Sequence, residues 1–226
     1  MKKIGIKSAA VFLAMWGASA LFAGIICYFA LSVGLHLSLA HELSYAVVFA
    51  ISYLGFCILA LRGWLKLYPT PKGEVLEKDI WHVHTYLLFY SVVFNPIIKS
   101  FLLPVPLLRA FYLALGARMA DNSYTGGVIY DAHLVTIGAN CLMGEGSLLT
   151  PHQMERHRLG YFPIVIGNNV TVGAHAVILP GVTIEDDAMI ASGSVVPKGT
   201  LIQKGEVWGG VPAKLLKTSR SEELPT

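Results

Sequence analysis

Charge is scarce in this chain. Only 14% of its 226 residues are Asp, Glu, Lys or Arg, whereas 54% are hydrophobic. The formal net charge is +3 and no run of Lys or Arg occurs, which argues against nucleic acid as a partner. Cysteine is scarce too. Cys27, Cys57 and Cys141 are odd in number and lack metal-ligand spacing, so neither a disulfide framework nor a metal site is expected. The G-x-S-x-G elbow of serine hydrolases is also missing.

The missing charge is concentrated at one end. No charged side chain occurs from Ser8 to Leu35, and a second uncharged run covers Leu43 to Leu61. About 20 apolar residues cross ~30 Å of hydrocarbon, so each run suffices for a transmembrane helix. The opening "MKKIGIK", followed by an apolar run and "ASA", is similar to a signal peptide, but the run continues too far and reads as an uncleaved anchor. Lys2, Lys3 and Lys7 precede the first run, and Arg62, Lys66 and Lys72 follow the second. The loop "HLSLAHE" between them has no Lys or Arg, which predicts a hairpin with both flanks cytoplasmic, as in a bacterial inner membrane. Trp64 and Tyr68 stand where interfacial anchors belong.

Residues 84–118 are apolar but broken by Pro96, Pro104 and Pro106 and dotted with Lys99, Arg109 and Arg118. Proline removes helix hydrogen bonds, so helices lying in the interface or packed on a soluble domain are expected in place of further spans. His82 and His84 are read as facing that interface or the domain junction. The expected organisation is a transmembrane hairpin at 1–75, interfacial or linking helices at 76–118, a repeat domain at 119–217 and a tail at 218–226.

The rest of the chain is repetitive. From Ile166 it reads IGNNVT, VGAHAV, ILPGVT, IEDDAM, IASGSV, VPKGTL. The first position of each hexad is aliphatic: Ile166, Val172, Ile178, Ile184, Ile190 and Val196. The fifth is small or β-branched: Val170, Ala176, Val182, Ala188, Ser194 and Thr200. Such a period marks a solenoid, with one short parallel strand and a corner per hexad and three hexads per circuit. Gly167, Gly173, Gly181 and Gly193 suit turns with unusual backbone angles. The frame extends upstream through Leu149, Met143 and Ile137, with Ser147 and Cys141 at fifth positions. One step further back lies Asp131, which either caps a turn where the repeat has ended or lines a pocket. The seventeen steps from Leu149 to Ile166 are not a multiple of six, so "TPHQMERHRLGYFP" must leave the coil as a loop.

The hexads, the histidine-bearing loop, "ILPGVTI" and "GGVPAKLLK" together resemble the hexapeptide-repeat acyltransferases. The likeness is to O-acetyltransferases of the galactoside and maltose type and covers residues 119–217. The segment "IYDAHLVTIGANCLMGEGSLLTPH" also looks like acyltransferase domains of larger multipass membrane proteins. The resemblance implies a left-handed parallel β-helix, a homotrimer with sites between neighbouring coils, and acetyl-CoA as co-substrate. It makes His152 the catalytic base and matches the coenzyme contacts to Ala174, Ser192, Lys198 and Lys214. The chain departs from the family where Ala191-Ser192-Gly193 replaces Gly-Ala-Gly and where Pro197 replaces Thr.

Acyl transfer to an alcohol needs a base near neutrality, and a neutral imidazole fits. Glu145 and Glu155 are both candidates for orienting His152. Asp131, Asn122 and Tyr124 are candidate acceptor contacts, the acceptor being a sugar, a lipid-linked sugar or a similar alcohol. Arg156 and Arg158 suit coenzyme phosphates or an anionic acceptor, or simple solvation. His133 reads as structural, His157 as loop surface, and His175 as exposed or at a trimer interface. Two alternatives stay open. One is a trimeric zinc enzyme of carbonic-anhydrase type, suggested by the spacing of His152 and His157; the other is a catalytically idle membrane scaffold.

Overall fold

The structure, a computed structural model, describes residues 4–32, 41–100, 102–156 and 158–218. Lys2, Lys3, most of the short loop between the two apolar runs, His157 and residues 219–226 lie outside the described residues. The chain divides into two compact units, one formed by residues 2–70 and 77–96, the other by 71–76 and 97–226.

In the first unit the uncharged runs form α1 (Ile6–Ser32) and α2 (His41–Leu67). Both helices are long and apolar enough to cross a membrane by length and composition. At 1.5 Å per residue, 27 residues reach about 40 Å, beyond the ~30 Å of a hydrocarbon core. Their outward faces are apolar: Leu21, Phe29, Ile51 and Leu59 are all exposed. Between the helices Phe22 meets Phe56 at 5.3 Å, and α3 (Ile80–Phe89) adds Phe89 edge-on to Phe12 at 5.6 Å. Trp64, Tyr68 and Trp81 cluster at one end, where the Lys7 ammonium sits 3.8 Å from the Trp81 ring centre.

Prolines shape the segment after α3. A π-helical turn at Tyr90–Phe94, in which the Asn95 N–H donates to the Tyr90 carbonyl, leads into α4 (Asn95–Lys99). Pro96 therefore falls beside a widened turn that tolerates its missing N–H. Pro104 caps α5 (Val105–Leu115) and Pro106 lies in its first turn, where no intrahelical donor is lost. Eleven residues span about 16 Å, far short of a membrane crossing. Arg109 turns inward. Its Nε donates to the Ser123 carbonyl at 3.0 Å and its Nη2 to that of Ala120 at 3.1 Å, tying α5 to the first turn of the repeat.

The repeat half of the second unit visits three parallel sheets in rotation. Sheet I holds Arg118–Met119, Val135–Ile137, Ile164–Ile166, Thr183–Ile184 and Leu201–Ile202. Sheet II holds Tyr124–Thr125, Leu142–Met143, Thr171–Val172, Met189–Ile190 and Glu206–Gly210. Sheet III holds Val128–Ile129, Leu148–Leu149, Val177–Ile178 and Val195–Val196. Thr183 lies opposite Val165 and Leu201 opposite Thr183, a step of eighteen residues, or three hexads per circuit. Every first-position residue from Ile137 to Val196 is buried. The repeat does not stop at Ile137: Met119, Thr125 and Ile129 continue the inward column. A final strand, Ala213–Thr218, folds back antiparallel on Glu206–Gly210.

The glycines serve two purposes where one was expected. Gly181 and Gly193 have φ of +74° and +68° and supply turn geometry. Gly167 and Gly173 do not; they are small because circuits stack closely. A Cβ on Gly173 would lie 2.4 Å from the Ser192 nitrogen, and one on Gly167 2.4 Å from Asp186 Oδ1. Several left-handed turns use Asn or Asp instead, whose short polar side chains tolerate that region. Asn122, Asn140, Asn169 and Asp187 form such a column between sheets I and II and hydrogen-bond one to the next at 2.9–3.3 Å.

Candidate active site

The turn from sheet III to sheet I carries the chemistry-bearing residues. In the first circuit, strand Val128–Ile129 ends at Tyr130 and Asp131, with Asp131 left-handed at φ 45°. In the second, strand Leu148–Leu149 ends at the insertion. Val177 there faces Leu148, a step of twenty-nine residues where the plain circuit takes eighteen. The extra chain is no irregular loop but a hairpin, His152–Glu155 against Arg158–Tyr161, widened by Gly73–Glu74 as a third strand. That third strand was missed from sequence, since two residues beside Pro71 show no alternation.

Stacking two circuits at one turn puts His152 beside Asp131. His152 Nδ1 is hydrogen-bonded to Asp131 Oδ2, and Asp131 is buried. Neither Glu145 nor Glu155 takes that place: Glu155 pairs instead with Lys198 Nζ at 2.8 Å. Tyr130 meets the imidazole edge-on at 5.6 Å and Tyr161 lies at 6.2 Å, while the Thr150 hydroxyl donates to the His152 carbonyl at 3.2 Å. The two tyrosines were not singled out from sequence, although Tyr130-Asp131 breaks the aliphatic rhythm there as visibly as the histidine does downstream.

The electrostatics follow from this packing. Burial disfavours the imidazolium, but the hydrogen bond and charge of Asp131 outweigh it, and the His152 pKa stands above its ordinary value. Burial, with the Asp131 charge added, also pushes the Tyr161 phenol well above its usual range. With Nδ1 donating to a carboxylate, the neutral ring carries its lone pair on Nε2. A histidine held in this way can take a proton on Nε2 and pass it on.

The remaining candidates fall at separate places. Asn122 is the first rung of the Asn column between sheets I and II. Tyr124 is exposed on sheet II with the Arg109 guanidinium 6.0 Å from its ring centre. Ala174 and Ser192 occupy the turn from sheet II to sheet III in successive circuits, where the Gly193 N–H donates to the Ala174 carbonyl at 2.8 Å. Lys214 faces Gly209 on the antiparallel strand. Lys198 lies at the other end of sheet III, on the same turn as His152. One chain therefore places Ala174 and Ser192 at one end of the sheet III strands and His152 and Lys198 at the other. His175 is exposed, with φ 56°. Among the described residues no group of three or more His, Cys, Asp or Glu is placed to hold a metal.

The family described as "Bacterial transferase hexapeptide (six repeats)" matches residues 163–198. Galactoside O-acetyltransferase of Escherichia coli K12 is 41% identical over 96 residues, covering 39% of this chain and 46% of that protein. Gamma carbonic anhydrase 2 of Arabidopsis thaliana mitochondria is 34% identical over 113 residues, covering 42% of this chain and 40% of the relative. Delta-poly-L-ornithine synthetase of Acinetobacter baumannii is 25% identical over 161 residues, 70% of this chain but 12% of that protein. That stretch is longer than the repeat half. The chain spans under half the length of each of these relatives. Residues 163–198 thus match the bacterial transferase hexapeptide model, and 96 residues of the chain are similar to galactoside O-acetyltransferase.

Proposed function

We propose that the chain is a membrane-anchored O-acyltransferase that moves an acetyl group from acetyl-CoA to a hydroxyl of a sugar, lipid-linked sugar or similar alcohol. The observation that carries this reading is the His152–Asp131 pair, which leaves Nε2 as the basic nitrogen on a hairpin rising from transferase repeats. His152 takes the acceptor hydroxyl proton as that oxygen bonds to the thioester carbonyl carbon. The carbon–sulfur bond then breaks, and the imidazolium returns the proton to the departing thiolate. A positioned base of this kind contributes about 10²–10⁴-fold.

The split between the two ends of sheet III supports a homotrimer. Ala174, Ser192 and Lys214 bind the coenzyme at one edge of a left-handed β-helix, and a neighbouring copy's His152 and Lys198 complete the site from the other. Asp131 positions the base, and Asn122 and Tyr124 remain candidate acceptor contacts. α1 and α2 form the anchor, and Lys7, Arg62, Lys66 and Lys72 keep their flanks and the repeat half on the cytoplasmic side.

The deciding experiment is thioester release from acetyl-CoA by the purified full-length protein against cytoplasmic and lipid-linked sugars, with His152→Ala beside it. A loss of about 10²–10⁴-fold in kcat for the variant is expected. No release with any acceptor, together with no coenzyme binding, would sink the proposal. The likeness to a carbonic anhydrase gives a second reading, a zinc enzyme, which stoichiometric zinc and hydration of carbon dioxide would favour.

A further inference from the structure

The second unit holds a groove of about 280 Å³ between α5 and the first circuit, lined among others by Ile98, Leu103, Val105, Leu108, Gly127 and Val128. Its floor is bare backbone for a reason. A Cβ on Gly127 would lie 2.2 Å from the Ser147 carbonyl oxygen, and one on Gly126 3.3 Å from the Glu145 Cα. The groove is mostly hydrocarbon. Next in sequence to the lining residues Leu103 and Leu108, Leu102 is 81% exposed and Leu107 56% exposed, large apolar side chains that water does not favour.

The groove also has a direction. Val128 in its lining begins the sheet III strand Val128–Ile129, which leads directly to Tyr130. Beside Ile98 in sequence, the exposed Lys99 holds its ammonium 5.4 Å from the Tyr130 ring centre, and Tyr130 touches His152. Lys99 has no ion-pair partner among the described residues. At the opposite end the lining includes Glu145, on the turn from sheet II to sheet III. One end thus carries a cation next to the candidate base, and the other a carboxylate that repels an anion.

We infer that the acceptor is an anionic amphiphile whose hydrocarbon chain lies in this groove and whose anionic group meets Lys99, bringing a neighbouring hydroxyl to His152. The inference rests on the base role proposed for His152 and names the acceptor class. The volume is at the lower limit of ordinary ligand pockets, ~300 Å³, and suits one chain but not a patch of bilayer. The charge order fixes the chain's orientation, because the reversed ligand would place its anion against Glu145.

The test uses full-length protein in phosphatidylcholine nanodiscs and dodecyl phosphate carrying a diazirine on its chain. Photolabelling is expected within residues 98–108 and at Val128, with unlabelled dodecyl phosphate competing at least tenfold better than dodecanol or inorganic phosphate. Val105→Trp should cut labelling at least tenfold by filling the groove. Lys99→Ala, a surface change that leaves the core intact, should cut it at least fivefold while sparing a neutral dodecyl probe. His152→Ala should keep full labelling yet lose acetyl transfer, so failure of the base and failure of the groove are separable. Labelling indifferent to both Val105→Trp and Lys99→Ala, or confined to α1 and α2, overturns the inference. So do cross-links between copies through Leu102 or Leu107 in place of probe labelling, which would make the groove a self-contact.

Discussion

The two halves of this molecule place their apolar residues on opposite sides. In α1 and α2 many large aliphatic and aromatic side chains point outward, among them Leu21, Phe29, Ile51 and Leu59, while a few such as Phe12 and Leu61 are buried. In the repeat half the first-position residues point inward, in columns stacked in register from circuit to circuit. Composition decides the first arrangement and position decides the second. A residue of the same type therefore means different things in the two halves.

Substitution breaks or sharpens that contrast. Ile178→Ala, in the inward column, should lower stability by about 2–5 kcal/mol, read as a fall in the denaturant midpoint of the repeat half. A loss under about 1 kcal/mol would mean that the column tolerates cavities and that its period is no packing code. Next in size is Asp131→Asn, which removes the buried charge beside His152. Asp131 raises the His152 pKa and the neutral ring is the base, so wild-type kcat/KM should climb with pH through a value above that of ordinary histidine. Removing the charge leaves burial, which lowers the pKa, and the acid limb should move to lower pH while the plateau falls about 10–100-fold. An unmoved limb would detach Asp131 from the ionisation of His152. The smallest effect belongs to Ile51→Ala on the outward face of α2, expected to stay within about 0.5 kcal/mol. A large destabilisation there would show that the helical half, too, has a specific partner surface.

Sequence alone made much of this legible, for physical reasons that differ by region. Hydropathy located α1 and α2 because nothing but uninterrupted apolarity is needed to specify them. The hexads located the sheets because each first-position residue must fill the same narrow column. Period failed where the turn from sheet III to sheet I lengthens. Counting back six from Ile137 reaches Asp131, but the inward residue there is Ile129, since the circuit takes two extra residues at that turn. Asp131 was thus noticed for its position before its partner could be seen. The hairpin, its third strand from Gly73–Glu74 and the inward turn of Arg109 depend on contacts between distant segments, and no local pattern announces them.

A stack of identical parallel circuits has no intrinsic end, because the last strand offers the same evenly slanted donors and acceptors as every strand before it. Strand Ala213–Thr218 changes that at sheet II. By running antiparallel along Glu206–Gly210 it presents an edge of the wrong polarity, and the exposed Lys214 and Lys217 line that edge with charge. Sheet II therefore carries its own terminator against end-to-end templating.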